Sequence, residues 1–235
     1  MKRRTFVGGS ALAGFLAAMP LTRALAGTEA PGSPGAKTGP YDFRSYRETN
    51  RLCPVYNVTP DDGYYLHTFY DVCPWSPSQR YLACTKFPFQ DREPKYGEEA
   101  RICLIDMKDK TLTEVWSTRA WGFQLGSNVQ WGGTDRYLYF NDLVDGEAAC
   151  IRLDLETGKG EALAGPMNHV APDDSAVVSF PLDLINASQS GYGYAEDPAR
   201  ARSLKPGAAG DEGIWRTDPK TGKKTLIVSL AEACL

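Results

Sequence analysis

Two short patterns of apolar and polar positions return three times along this chain, in the same order. The first is an apolar residue, a tight polar turn, and a β-branched or aromatic run. It reads Trp75-Ser-Pro-Ser-Gln-Arg-Tyr-Leu-Ala-Cys-Thr85, then Trp131-Gly-Gly-Thr-Asp-Arg-Tyr-Leu-Tyr-Phe-Asn141, then, more weakly, Val170-Ala-Pro-Asp-Asp-Ser-Ala-Val-Val-Ser179. The second reads Ile102-Cys-Leu-Ile-Asp-Met-Lys-Asp-Lys110, Cys150-Ile-Arg-Leu-Asp-Leu-Glu-Thr-Gly158 and Ile214-Trp-Arg-Thr-Asp-Pro-Lys-Thr-Gly222. A further β-rich stretch follows each of these, at 112–116, 161–163 and 225–230. Pro, Gly, Ser and Asp clusters between such runs signal strand, turn, strand. Gly supplies a positive φ in the hairpin, and Asp closes the turn through its side chain.

Each repeat therefore predicts four short antiparallel strands. The aspartates that anchor the second pattern, Asp106, Asp154 and Asp218, are 48 and 64 residues apart. A four-stranded unit of that period is a propeller blade. A β-sandwich also uses short strands at close spacing, but it does not explain two half-motifs returning in fixed order. The expected fold class is all-β, with about three four-stranded antiparallel blades between residues 41 and 235. Propellers close with typically about 4–8 blades, so these belong to a larger propeller of seven or eight blades. Three readings stay open: a truncated product, assembly with a second copy through open blade edges, which template pairing, or a partial curved array.

Two segments precede the repeats. Residues 1–26 carry Lys2, Arg3 and Arg4, then a Gly-rich apolar stretch, then Ala24-Leu25-Ala26. That is a signal peptide by charge, length and small-residue cleavage site. Its opening, Lys2-Arg3-Arg4-Thr5-Phe6-Val7, resembles the twin-arginine export motif. The expected location is periplasmic or secreted. Residues 27–40, GTEAPGSPGAKTGP, read as a flexible Gly/Pro linker. Removing the signal takes away four cations and moves the net charge from −3 to −7. An acidic exported chain is a poor nucleic-acid binder, since that affinity comes from Lys and Arg neutralising phosphates. No later segment has the length and apolarity of a membrane span.

Six cysteines, none spaced as C-x-x-C, indicate neither a zinc ribbon nor a dithiol redox site. Cys73, Cys84, Cys103 and Cys150 fall in apolar runs, where free Cys acts as a small buried hydrophobe. An oxidising compartment would also permit disulfides.

The runs 66–82 and 124–142, with Ser190-Gly-Tyr-Gly-Tyr194 and Gly213-Ile-Trp-Arg216, resemble the front half of exported TolB-like propellers related to ulvan and oligogalacturonate lyases. The resemblance covers about residues 55–230. It implies a propeller and, more remotely, β-elimination on an acidic glycan. In those lyases a His or Tyr removes the proton α to a uronic carboxylate, and a basic residue neutralises that carboxylate. The oligogalacturonate lyases also hold a metal through a late His-rich cluster. This chain has only His67 and His169, so no metal ligands are carried over, any cofactor stays unknown, and no catalytic residue is transferred by the resemblance.

From the residues themselves, His67 is the candidate base, with Tyr70 or Tyr65 as acid, because imidazole exchanges protons near neutral pH. The competing role for His67 is a hydrogen-bonded pair with Asp71. His169 stands at a comparable place in the third repeat, where packing at a strand start is the plainer reading. Tyr192 and Tyr194, separated by glycines, are the candidate sugar-stacking pair; alternatively they pack on one face of a strand. Arg80 and Arg136 recur at one repeat position and should pair with a neighbouring Asp. Trp75 and Trp131 should lie between blades. No phosphate loop, nucleophile elbow or zinc-protease motif occurs. The partners left are an acidic polysaccharide, acted on or merely bound, or a protein.

Overall fold

The structure, a computed structural model, describes residues 35–46, 52–201 and 206–234; the expected signal at 1–26 lies outside the described residues. A small ribbon of β1 (Arg44–Ser45) and β2 (Tyr56–Asn57) comes first. The first blade is β3 (Tyr64–Leu66), β4 (Tyr81–Phe87), β5 (Ala100–Asp106) and β6 (Thr111–Thr118). The second is β7 (Gln130–Trp131), β8 (Tyr137–Val144), β9 (Glu147–Asp154) and β10 (Lys159–Ala162). The third is β11 (His169–Val170), β12 (Val177–Ser179), β13 (Gly213–Thr217) and β14 (Lys224–Ser229), with helix α1 (Leu182–Ser188) between β12 and β13 and α2 (Leu230–Ala233) at the end. Each blade is a four-stranded antiparallel meander whose strands pair in chain order. This is the all-β, three-blade organisation expected from the repeats.

Burial explains why the repeats were readable. In the second blade β8 and β9 are buried along most of their length, because each face meets another blade. Their sequences accordingly run apolar without strict alternation. Ala83, Ile102 and Leu104 of the first blade pack on Trp131, Leu138, Phe140, Ile151 and Leu153 of the second. Tyr139 and Cys150 of the second pack with Met167, Val170 and Val177 leading into and within the third. Fully burying each large aliphatic side chain contributes about 1.5–3 kcal/mol, so these interfaces carry much of the stability.

Polar groups fix the blades' register. Arg80 donates from Nε and Nη2 to Asp106 Oδ2, at 3.1 and 2.7 Å, and Arg136 does the same to Asp154 Oδ2, at 3.2 and 2.7 Å. Oδ1 of Asp106, of Asp154 and of Asp218 accepts backbone N–H groups of the following turn. The recurring Arg and Asp are thus turn builders, as their repetition suggested. A second recurrence links neighbouring blades. Asp135, in the first turn of the second blade, accepts from Ser76 Oγ and the Ser78 N–H of the first. Asp174, at the same place in the third blade, accepts from the Gly133 N–H of the second. A Cβ on Gly132 would lie 2.1 Å from Asp174 Oδ1, so glycine is what lets the two turns meet.

The ends of the array differ from its middle. The first blade's outer face, with Cys84, Cys103, Ile105 and Leu112, is covered by Tyr41, Phe43, Val58 and Tyr65. Of the Gly/Pro segment at 27–40, the described residues from Gly35 onward run antiparallel along β6, through hydrogen bonds linking Gly35, Ala36 and Thr38 with Glu114 and Leu112. Trp131 lies in the inter-blade core as expected, but Trp75 does not: it is 38% exposed. Trp131 has the first blade in front of it, whereas among the described residues no blade precedes Trp75. Cys84, Cys103 and Cys150 are buried thiols, whereas Cys73 is exposed with Cys53 and Cys234. Among the described residues no helix is long and apolar enough to cross a membrane.

Candidate functional site

The inner strand of the first blade is split. β3 pairs with Thr85–Phe87 of β4, and Trp75 pairs with Leu82 of the same strand, so residues 67–74 are looped out between two paired pieces. The second blade covers the matching stretch from Ser127, bonded to Asn141, to Trp131, paired with Leu138. The first blade therefore inserts five residues there, Leu66 to Trp75 against Ser127 to Trp131. The insertion carries His67, Phe69, Tyr70 and Asp71.

This loop is pinned to both other blades. Thr68, fully buried, donates from Oγ1 to the Val129 carbonyl at 2.9 Å. It does so with φ at 86°, a left-handed conformation that is costly for a β-branched residue. Val72 N–H closes the loop on the Phe69 carbonyl at 3.1 Å. Asp71 Oδ2 stands 3.7 Å from His169 Nε2, across from the third blade's inner strand. The ring of Phe69 meets Tyr192 edge-on at 5.8 Å and touches Tyr70 at 4.6 Å.

Side-chain amides join the second and third inner strands behind the loop. Gln130 Nε2 donates to the Asn168 carbonyl at 2.6 Å, and its Oε1 accepts from Val170 N–H at 3.2 Å. Asn128 and Asn141 both donate to the Met167 carbonyl. The amide oxygen of Asn168 lies 2.7 Å from His169 Nδ1. The two ring nitrogens of His169 thus face an amide oxygen and a carboxylate.

The candidate residues separate into two groups. His67 and Tyr70 are exposed on the inserted loop, with Tyr70 at 86%. Tyr192 is half-buried beside that loop, against Phe69. Tyr194 is elsewhere: it is buried with Ala120, Leu143, Ala148 and Leu182, so the two tyrosines share neither a strand nor a face. Gly193 allows this packing, since a Cβ there would sit 1.9 Å from the Leu182 carbonyl oxygen. Tyr65 points to the covered outer face, where its hydroxyl donates to Asp62 and burial together with that bond pushes its pKa up. Asp71 pairs with His169 and not with His67. Sequence reasoning missed Thr68, Gln130 and Asn168. The available signal was length, since the stretch before Trp75 exceeds its counterpart before Trp131.

Tyr194 borders a second feature, a cavity of about 340 Å³ between the second and third blades, lined among others by Phe180, Trp215, Arg200, Lys224 and Glu147. Among the described residues no group of three or more His, Cys, Asp or Glu is arranged to hold a metal ion.

With this geometry in hand, the chain can be set beside known proteins. The oligogalacturonate lyase from Vibrio parahaemolyticus superposes on 85% of this chain with a TM-score of 0.56 and 12% identity. TolB from Acinetobacter baumannii superposes on 77% (TM-score 0.46, 15% identity, 37% of that chain), and the isopeptidase AtxE2 in its apo form on 74% (0.42, 16%, 31%). No protein-family model matches the chain, and no curated protein matches it. The likeness to the lyase establishes the fold as that of propeller blades, in line with the resemblance seen in the sequence. The chain spans about half the length of that lyase, 50% of it being covered.

Proposed function

We propose that this chain is an exported β-propeller protein that binds a glycan along the inserted loop of its first blade. The observation that carries this reading is the loop itself: residues 67–74 interrupt an inner strand, hold Thr68 at positive φ, and are pinned to both other blades. Strain retained in that way is a pointer to a functional segment. The loop offers an exposed Tyr70 beside Phe69 and Tyr192, which suits the apolar face of a sugar ring. His67, His169 and Asp71 supply donors and acceptors for hydroxyls nearby. Export rests on the charged and apolar pattern of residues 1–26. The test is calorimetric titration with a panel of neutral and uronate oligosaccharides. Tyr70→Ala should weaken binding about tenfold, about 1.4 kcal/mol, with folding unchanged. Lack of binding across the panel would remove the proposal.

A second reading, β-elimination on an acidic glycan, takes His67 as base and Tyr70 as acid. It is favoured by their exposure on one short loop. Asp71 on that same loop places a negative charge where a uronate would sit, which favours the binding reading. Elimination products carry a conjugated double bond, so a rise in ultraviolet absorbance that disappears in His67→Ala would reverse this preference. Tyr194, expected to stack on substrate, has its place in this reading only through the cavity it borders.

A further inference from the structure

We infer that the cavity between the second and third blades is a second sugar subsite, taking one unit of a glycan whose neighbouring units lie on the inserted loop. The inference rests on the loop reading above. Its walls belong to two blades that pack on each other. Thr217 of β13 donates from Oγ1 to the Ala164 carbonyl, next to the second blade, at 2.9 Å. Trp215, two residues earlier on the same strand, shares that face and lines the cavity. At about 340 Å³ the space falls within the range of small-ligand sites, roughly 300–1,000 Å³.

The lining combines a flat apolar surface with donors and acceptors. Trp215 and Phe180 supply the surface, which suits the apolar face of a sugar ring. Trp116, Trp121 and Trp131 are buried and donate their indole N–H to Asp142 Oδ2, the Glu98 carbonyl and the Pro74 carbonyl. Trp215 is half-buried, and among the described residues its N–H has no hydrogen-bond partner, so it can donate to a ligand. Two cationic heads stand at glycines of the cavity wall. Arg200 donates from Nη1 to the Asp145 carbonyl at 2.7 Å, and a Cβ on Gly146 would lie 2.9 Å from that nitrogen. Lys224 Nζ stands 4.3 Å from the Trp215 ring centroid and would lie 3.1 Å from a Cβ on Gly165. Glu147 adds a carboxylate to the lining. A hydroxyl donates and accepts, so this mixture of cations and carboxylate suits a sugar better than a simple ion. The two sites adjoin: Tyr192 meets Phe69 of the loop at 5.8 Å, and Tyr194 borders the cavity. Two residues of chain span at most about 7 Å.

Calorimetric titration of the purified chain tests this, with β-1,4-linked glucose oligomers and α-1,4-linked galacturonate oligomers of one to six units. Affinity should rise about tenfold between the dimer and the tetramer of the series that binds. Trp215→Ala should remove that gain and leave dimer binding as in the parent, whereas Tyr70→Ala should weaken every length. Glu147→Gln, at an exposed position, should reduce the gain about threefold without disturbing the fold. Parent affinity independent of length would overturn the inference and leave the loop reading standing. The same holds for a Trp215→Ala variant that melts like the parent and keeps the gain, or for Glu147→Gln keeping the gain in full. Binding lost in Trp215→Ala and unchanged in Tyr70→Ala would move the site off the loop, overturning the loop reading and the shared glycan with it. No binding in either series would remove both.

Discussion

Asp71 Oδ2 lies 3.7 Å from Nε2 of His169, joining a loop of the first blade to the inner strand of the third across 98 positions of sequence. Both side chains are about half exposed, and a polar contact in that setting contributes at most about 1 kcal/mol to global stability. Its effect should instead be local. Asp71→Asn should leave the melting temperature nearly unchanged and raise hydrogen exchange and proteolytic cleavage within 67–74. His169→Gln should act in the same direction. Equal protection of the loop in parent and variants would show that Thr68 and Val72 hold it alone.

Trp131 and Trp75 occupy one repeat position and should respond differently to the same change. Trp131 stacks on Tyr81 at 6.3 Å and donates from Nε1 to the Pro74 carbonyl at 2.9 Å. Trp131→Ala opens a cavity between blades and removes one of the two hydrogen bonds to that carbonyl, which keeps the Ala83 N–H. A loss of about 3–5 kcal/mol is expected. Trp75→Ala, at an exposed position, should cost under about 1 kcal/mol. Urea denaturation of both variants measures the contrast, and equal losses would contradict the inter-blade assignment of Trp131.

That contrast also shows what the sequence could convey. Strands buried on both faces leave long apolar runs, so β4, β5, β8 and β9 were legible, and recurrence indicated that Arg80 and Arg136 each pair with a neighbouring Asp without saying which. Burial of a given Trp was not legible, since it depends on a neighbouring blade and not on local pattern. The candidate site was legible only in part. His67 and Tyr70 lie on the loop proposed to bind, but their neighbours come from other repeats. Nothing in the local sequence of Asp71 indicates His169, and nothing around Tyr192 indicates Phe69. The separation of Tyr194 from Tyr192 was equally hidden, because helix α1, which buries Tyr194, lies in the part of the third repeat that has no counterpart in the others.

Acid should destabilise the fold through its turn carboxylates. The Arg136 hydrogen bond, helped by backbone N–H groups, holds Asp154 below the usual carboxylate range. Backbone N–H groups of Lys220 and Thr221 do the same for Asp218. For Asp106 burial pushes upward, and Arg80 with two backbone N–H groups outweighs it. Glu98, bonded to Arg92 and the Lys95 N–H, is lowered to about 2. A carboxylate lowered in the folded state binds fewer protons there than in the unfolded chain. Its contribution is complete above the unfolded value of about 4 and is lost as pH falls through the folded one. Melting temperature should hold level from pH 7 to about 5 and decline below about 4. Asp154→Asn should lower the plateau and make the acid decline shallower. A parent whose melting temperature did not fall below pH 4 would rule this account out.

The strongest test of the inter-blade amides is Asn141, which is 2% exposed on β8. Its Oδ1 accepts from Met167 N–H at 2.7 Å, and its Nδ2 donates to the Met167 carbonyl at 2.8 Å and the Ser127 carbonyl at 3.3 Å. One side chain thus satisfies both backbone groups of a residue in the connection between blades. Asn141→Leu keeps the volume and removes every bond. The Met167 carbonyl keeps Asn128 Nδ2, and the Ser127 carbonyl keeps the residue 141 N–H. The group left unpaired is therefore Met167 N–H, and a loss of about 1–3 kcal/mol is expected. Asn141→Asp keeps the shape and the acceptor for Met167 N–H, but sets a carboxylate oxygen against two carbonyls. It should be more damaging at pH 7 than at pH 4, where a protonated acid can again donate to one of them. The parent falls in stability over the same interval, so the difference between parent and variant is the quantity to follow by urea denaturation. A difference that does not narrow toward acid would mean that Nδ2 contributes little, and that the bond from Met167 N–H carries the contribution of Asn141.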